Sequence, residues 1–257
     1  MKRNVSSIAC RTELGRLPLA IFAITHCLSY LRKMQTMPVN SLLGQALLTM
    51  KQLARYNTNT SNVVTFLTKV VTKYGSVLNP KTSDQNSLTA DKRTISNDTK
   101  FLKICMNKDY HESTAYSFKQ NIKLEIYGRI KRNFGFERYL HSINNLDQRR
   151  TLTKLRIAGH RLPIEEGRKY DIPRHLRRCK LCSSTVVGDE FHVMMECTSH
   201  ALQNLRQSTA ANICNVIPQF DRLGTMDKFF YILSCADPLC TKTVAPALVT
   251  MFEIYNR

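Results

Sequence analysis

Apolar residues recur every three or four positions over most of this chain, the spacing of a one-sided helix rather than the alternation of a strand. Leu17, Ile21, Ile24, Leu28 and Leu31 form the first such stripe. Pro18 suits its first turn, where a missing N–H costs little, and the stripe predicts a helix to about Lys33 with a turn at Met37-Pro38. Ser41 then reads as the N-cap of a helix carrying Leu42, Leu43, Ala46, Leu47, Met50 and Leu53. Ser61 or Asn62 opens a third, through Val64, Phe66, Leu67, Val70 and Val71 to Gly75. From Ser76 to Lys100 the sequence turns polar, with Asn79-Pro80 and repeated Ser, Thr, Asn and Asp, which predicts a flexible linker. Helical spacing returns from Leu146 to Leu162, around Phe229, Phe230, Ile232 and Leu233, and from Val244 to Ile254.

One stretch breaks this pattern. Cys179, Cys182, His192 and Cys197 follow in the order C-x2-C-x9-H-x4-C, and three thiolates with one imidazole are the ligand set of a closed tetrahedral zinc site. Four protein ligands leave no position for a catalytic water, so the expected role is structural. The Lys180-Leu181 spacer fits a tight knuckle, with a short β-hairpin beside it. Residues five apart on one continuous helix lie about 140° out of phase, so His192 and Cys197 require a break near Cys197, with Thr198 or Ser199 capping the next helix. Asp189 and Glu190 sit close enough in sequence to orient the free nitrogen of His192, with exposed turn residues as the simpler account. Cysteine is also a small buried hydrophobe; the added His and Cys at finger-like spacing favour the metal.

Composition adds a polyanionic partner. The 257 residues carry 38 Lys and Arg against 19 Asp and Glu, a net charge of +19, far more than solubility requires, and nucleic acid is the partner expected, ahead of an anionic membrane surface. The nine cysteines are odd in number and form no disulfide framework, which fits a reducing intracellular compartment, cytoplasm or nucleus. No apolar stretch has the length of a membrane span. Arg11, Glu13 and Arg16 argue against a signal peptide at the amino terminus.

The charge is concentrated. Between Lys119 and Lys180 stand 17 Lys and Arg against 6 Asp and Glu. In the helix expected from Leu146 to Leu162, Leu152, Leu155 and Leu162 share one face. Arg150, Lys154 and Arg161 fall opposite, with Arg149 and Arg156 on the flank. Arg174, Arg177, Arg178 and Lys180 lie beside the knuckle. These nine are the candidate phosphate contacts; the plainer alternative is a solvated helix surface. Tyr127, Phe134, Phe136 and Tyr139 interleave with the charge and suit base stacking or core packing.

RTLTKLRIAGHRLPIEEGR from Arg150 to Arg168, with CKLC and GDEFHVMMEC, resembles the carboxy-terminal region of the reverse transcriptase proteins of animal non-LTR (LINE-type) retrotransposons. Looser similarity extends over Arg11 to Phe22, Tyr30 to Leu47 and Phe134 to Ile143. In that family the CCHC segment helps to hold template RNA or target DNA, and the matching ligands are Cys179, Cys182, His192 and Cys197. The chain departs from the family where catalysis would reside: it has no adjacent Asp-Asp pair of the kind that holds two magnesium ions. Thr198 and His200 also stand where the family favours a proline and an aromatic.

The resulting expectation is a mainly α protein, with helical bundle segments around a small CCHC zinc-binding finger. Its parts are a helical region at 1–75, a linker at 76–100, a basic helical region at 101–178, the CCHC segment at 179–206 and a carboxy-terminal helical region at 207–257. The expected function is non-catalytic binding of RNA or DNA. The alternative is a protein-interaction or relic domain of a truncated retroelement protein, docking on a polymerase-bearing partner.

Overall fold

The computed structural model describes residues 6–56, 63–74, 92–131 and 133–256. The chain is mainly helical and divides into two compact units, one joining residues 6–16 to 115–256 and the other comprising 17–114. The first helix, α1 (Ser7–Glu13), thus belongs with the carboxy-terminal half rather than with the helices that follow it.

The 17–114 unit contains α2 (Leu19–Gln35), α3 (Leu42–Tyr56), α4 (Val63–Lys73) and most of α5 (Lys92–Gln120). Pro18 is the N-cap of α2, and the Ser41 hydroxyl accepts from the Gly44 N–H at 3.1 Å, so both starts fall where the sequence placed them. The stripe Ile21, Leu28, Leu31 and Met34 meets Leu47, Val64, Leu67 and Val71 in this unit's core, because positions three and four apart lie on one helical face. The expected caps at Ser61 and Asn62 lie outside the described residues, as does the linker from 76 to 91. Residues 92–100 are helical, which shortens the linker at its carboxy-terminal end. Leu102 and Met106 enter the core a turn or two later, and Thr99 accepts from the Arg32 guanidinium at 3.2 Å, so this part of the helix is tied to tertiary structure.

The other unit is built from α6 (Glu125–Ile130), α7 (Tyr139–Ser142), α8 (Leu146–Arg156), α9 (Pro163–Lys169), α10 (His200–Val216), α11 (Thr225–Ser234) and α12 (Pro238–Asn256). Helix α12 lies at its centre, packed on α7, α8, α10 and α11. Its face of Val244, Leu248, Met251 and Tyr255 is buried. Pro246 sits inside α12 at an exposed position; it removes one backbone donor without ending the helix.

The helix expected from Leu146 to Leu162 ends at Arg156. Its start is capped by Asn145, whose side chain accepts from Asp147 N at 2.9 Å and Gln148 N at 3.0 Å. At its end Ala158 adopts a left-handed conformation at φ 52° and the Gly159 N–H reaches back to the Lys154 carbonyl at 2.7 Å, a closure that satisfies the last carbonyls. The expected β-hairpin is also absent. Among the described residues only isolated antiparallel bridges occur, Leu14 with Phe136 and Arg178 with Val187.

A buried polar cluster fixes α1 in this unit. Arg156 Nε donates to Glu13 Oε1 at 2.7 Å and its guanidinium lies 3.1 Å from Glu137. The Tyr127 and Tyr139 hydroxyls donate to the same Glu13 carboxylate. The turn beneath this cluster needs glycine: Gly15 has φ 59°, and a Cβ there would meet Phe136 N at 2.5 Å. No single helix among the described residues is long and apolar enough to cross a membrane.

Candidate metal centre

Cys179, Cys182, His192 and Cys197 converge. Their ligand atoms all lie within 4.8 Å of one another and could hold a metal ion. Cys179 Sγ is 3.7 Å from Cys197 Sγ, and Cys182 Sγ is 3.4 Å from His192 Nε2. The sulfur pair is far beyond the roughly 2.0 Å of a disulfide, and all four residues are buried or half-buried.

Local backbone produces this convergence. The bridge from Arg178 to Val187 folds the knuckle, with the Cys179 N–H donating to the Val186 carbonyl at 3.0 Å and Gly188 N–H to Arg177 O at 2.8 Å. Gly188 permits a close approach, since a Cβ would meet Pro163 Cγ at 2.9 Å and Cys179 Cα at 3.1 Å. Across the site, residues His192–Glu196 form a π turn, closed by the Cys197 N–H on the His192 carbonyl at 2.7 Å. The i→i+5 bond widens the helix by one residue per turn, which brings positions five apart onto one side. The phase conflict in the sequence is therefore met by a π turn as well as by the expected break at Cys197. Ser199 is the N-cap position of α10, without a side-chain bond.

The residues around the ligands divide the work differently from expectation. Asp189 accepts from the His192 backbone N–H at 2.9 Å, so it starts the helical turn rather than orienting the ring. Glu190 is buried against His160, 2.8 Å from Nε2. His160 Nδ1 accepts from the Leu162 N–H at 3.2 Å, so the ring donates from Nε2 to Glu190. Burial pushes the Glu190 carboxyl up, but this hydrogen bond, a backbone hydrogen bond and nearby positive charge together outweigh it and the net shift is downward. Glu196 stands nearest the outer nitrogen of His192, at 3.9 Å from Nδ1; its i+4 spacing was the available sequence signal.

Other contributors carried little signal or none. The Ser184 hydroxyl is 2.8 Å from Cys182 Sγ. Tyr255, on the last turn of α12, accepts from the Lys180 N–H at 3.1 Å and places its hydroxyl 3.9 Å from Cys179 Sγ. Arg206 donates to the Cys197 carbonyl. The thiols differ accordingly. Burial alone would raise Cys182, but hydrogen bonds from Ser184 and His192 lower it to about 6. Burial, reinforced by the neighbouring Cys179 and Cys182 sulfurs, raises Cys197 to about 12.

No family model, curated protein or solved structure matches this chain.

The nine candidate phosphate contacts divide by exposure. Arg150, Lys154, Arg161, Arg174, Arg178 and Lys180 are exposed. Three of them have acidic neighbours: Arg150 with Asp147 at 3.8 Å, Arg174 with Asp189 at 3.5 Å and Lys180 with Glu166 at 3.1 Å. Arg149 is half-buried and donates to the Leu140 carbonyl at 3.0 Å. Arg177 is half-buried too, bonded to the carbonyls of Ile172 at 2.8 Å and Ile164 at 3.0 Å, and so clasps α9 to the knuckle. Arg156 corrects the sequence reading. Its side chain is 0% exposed and ion-paired with Glu13 and Glu137, so it cannot touch a phosphate in this fold. Tyr127 and Tyr139 are core residues, while Phe136 is 47% exposed.

Proposed function

We propose that the chain is a non-catalytic zinc-binding and nucleic-acid-binding module, akin to the carboxy-terminal part of a retrotransposon reverse transcriptase. The observation that carries this reading is the convergence of three sulfurs and one imidazole in a knuckle flanked by the exposed cations Arg178 and Lys180. Zinc fits the spacing of the two closest pairs. Tetrahedral bonds of about 2.3 Å to sulfur and about 2.0 Å to nitrogen imply S–S and S–N edges near 3.8 and 3.5 Å, against 3.7 and 3.4 Å here. The ion would fix the knuckle, and the knuckle would present Arg174, Arg178 and Lys180 together with Arg150, Lys154 and Arg161 to a phosphate backbone.

Such contacts read charge rather than sequence. Six cations that all met phosphates would give log K against log salt a slope of about −5 on duplex DNA. Binding to single-stranded RNA and to duplex DNA, measured at 50 and 200 mM salt, tests this, with an expected loss of about a thousandfold on the duplex. Salt-insensitive or absent binding would overturn it.

A second reading has its own observation. In the 17–114 unit Leu19 is 81% exposed and Leu42 82%, with Phe66 and Phe101 each at 51%, apolar surface of a kind that suits docking on a protein. Recovery of a polymerase-bearing partner from nuclease-treated extract would favour that role.

A further inference from the structure

A cavity adjoins the metal centre. Its walls come from the π turn, α10, α11 and α12, including Val193, Met194, Leu205, Ile213, Leu248 and Met251. It holds ≈ 120 Å³, room for about four water-sized groups at about 30 Å³ each. Its lining includes three hydrogen-bonding side chains, Arg206, Thr209 and Lys228, and no acid. The Thr209 hydroxyl is already committed to the Leu205 carbonyl at 2.6 Å. Arg206 differs: one terminal nitrogen donates to the Cys197 carbonyl, whereas Nη1 is buried with no hydrogen-bond partner among the described residues. A buried donor on a charged group is costly to leave unmatched, and native sites normally supply an acceptor. Lys228, with 23% of its side chain exposed, lies 3.6 Å from Asp221 Oδ1 and adds a second positive charge to the wall.

Apolar walls with a few convergent polar groups are the make-up of a small-molecule site. Here those groups select an anion, and a single unmatched donor beside one lysine suits one carboxylate better than a doubly charged phosphate. We propose that this cavity binds a small aliphatic monocarboxylate, with a chain of about four carbons among Val193, Met194, Leu248 and Met251. Its carboxylate meets Arg206 Nη1, with Lys228 beside it. The site needs no nucleic acid. Its π-turn wall does rest on the metal-centre reading, so zinc content is measured on the same sample and fails or holds independently of the titration.

The test is titration of sodium pentanoate into the zinc-loaded full chain, followed by methyl NMR and calorimetry, with pentanamide as the uncharged control. The expected result is saturable one-to-one binding in the millimolar range or tighter, with methyl shifts centred on Met194, Ile213, Leu248 and Met251. Pentanamide should bind about tenfold more weakly, because it lacks the negative charge to which Nη1 donates. Arg206→Gln should weaken pentanoate by about tenfold and pentanamide far less. Ala247→Phe, which fills the cavity from α12, should abolish binding of both while circular dichroism and zinc content are retained; it keeps the test valid if Arg206→Gln disturbs the Cys197 loop. Equal affinity for acid and amide, undiminished pentanoate binding by Ala247→Phe, or no saturable binding by the wild-type chain would overturn the proposal.

Discussion

The asymmetry of the four ligands sets what metal binding must do. Cys197 is raised to about 12 and Cys182 lowered to about 6, so at neutral pH the metal must displace at least the Cys197 proton to bind as a thiolate. Loading the apo protein with zinc at pH 7 should therefore release protons into a weakly buffered solution, and affinity should fall as pH falls. Elemental analysis should find one zinc per chain; Cys182→Ser should abolish it, whereas Cys214→Ser, on half-buried Cys214 outside the ligand group, should leave it. Tyr255→Phe removes the acceptor of the Lys180 N–H and the hydroxyl beside Cys179. Outer contacts of this kind are worth about 10- to 100-fold in metal affinity, and a chelator competition should show a loss in that range with the fold intact. The ligands were legible in the sequence because their spacing is local. Tyr255, 76 positions from Cys179, was not, since nothing nearby on the chain marks a hydroxyl that arrives by tertiary packing.

At the scale of elements, the sequence described periodic faces well and special backbone poorly. The stripes of α2 and α4, Ser41 at the head of α3 and the buried Leu152 and Leu155 of α8 follow from spacing and capping alone. The π turn at His192–Glu196 and the left-handed Ala158 depend on closures that no composition rule signals. Arg156 was misassigned for a related reason: a cation on a helix flank looks like surface until its acid partners appear, and Glu13 lies 143 residues away. That pairing makes α1 a plug in the core of its unit. Arg156→Met should leave the Glu13 carboxylate without its cation, while Glu137 keeps Lys131, and cost about 3–5 kcal/mol in urea unfolding, as breaking one side of a buried pair does. Adding Glu13→Gln should recover part of the loss, because one stranded charge is removed. At the knuckle, Gly188→Val should separate Pro163 from the Cys179 backbone and lower metal affinity more than it lowers the stability of the remaining helices, read by chelator competition against circular dichroism.

For the molecule as a whole, the net charge of +19 raises the expectation of a polyanionic partner but does not locate a surface for it, because charge counts do not distinguish Arg178, exposed, from Arg156, enclosed. Burial also determines how stability responds to pH. Glu190 has its carboxyl lowered, with burial outweighed by the hydrogen bond from His160, a backbone hydrogen bond and nearby positive charge together. A depressed acid contributes stability that is complete above its unfolded pKa and lost as pH falls through the folded one, so this term acts below about pH 4.3. The alkaline side has more members. Burial raises the thiol of Cys235 to about 11, and burial with Asp237 raises Cys240 to about 12, from an ordinary 9.0. Burial and the Glu13 carboxylate raise the phenols of Tyr127 and Tyr139 from an ordinary 10.0. Each contributes stability that is fully present below its unfolded pKa and lost as pH rises through the folded one. These groups therefore make unfolding free energy fall as pH rises above about 9, whereas the lowered thiol of Cys182 makes it rise between about pH 6 and about pH 9 in the metal-free protein. Replacing Cys235 and Cys240 together by Ala removes two of the raised thiols, leaving Cys10 and Cys197, and should make the alkaline fall shallower. Urea unfolding at pH 7, 9 and 10.5 checks this; a fall unchanged by the double replacement would mean that Cys235 and Cys240 are not what limits the protein in alkali.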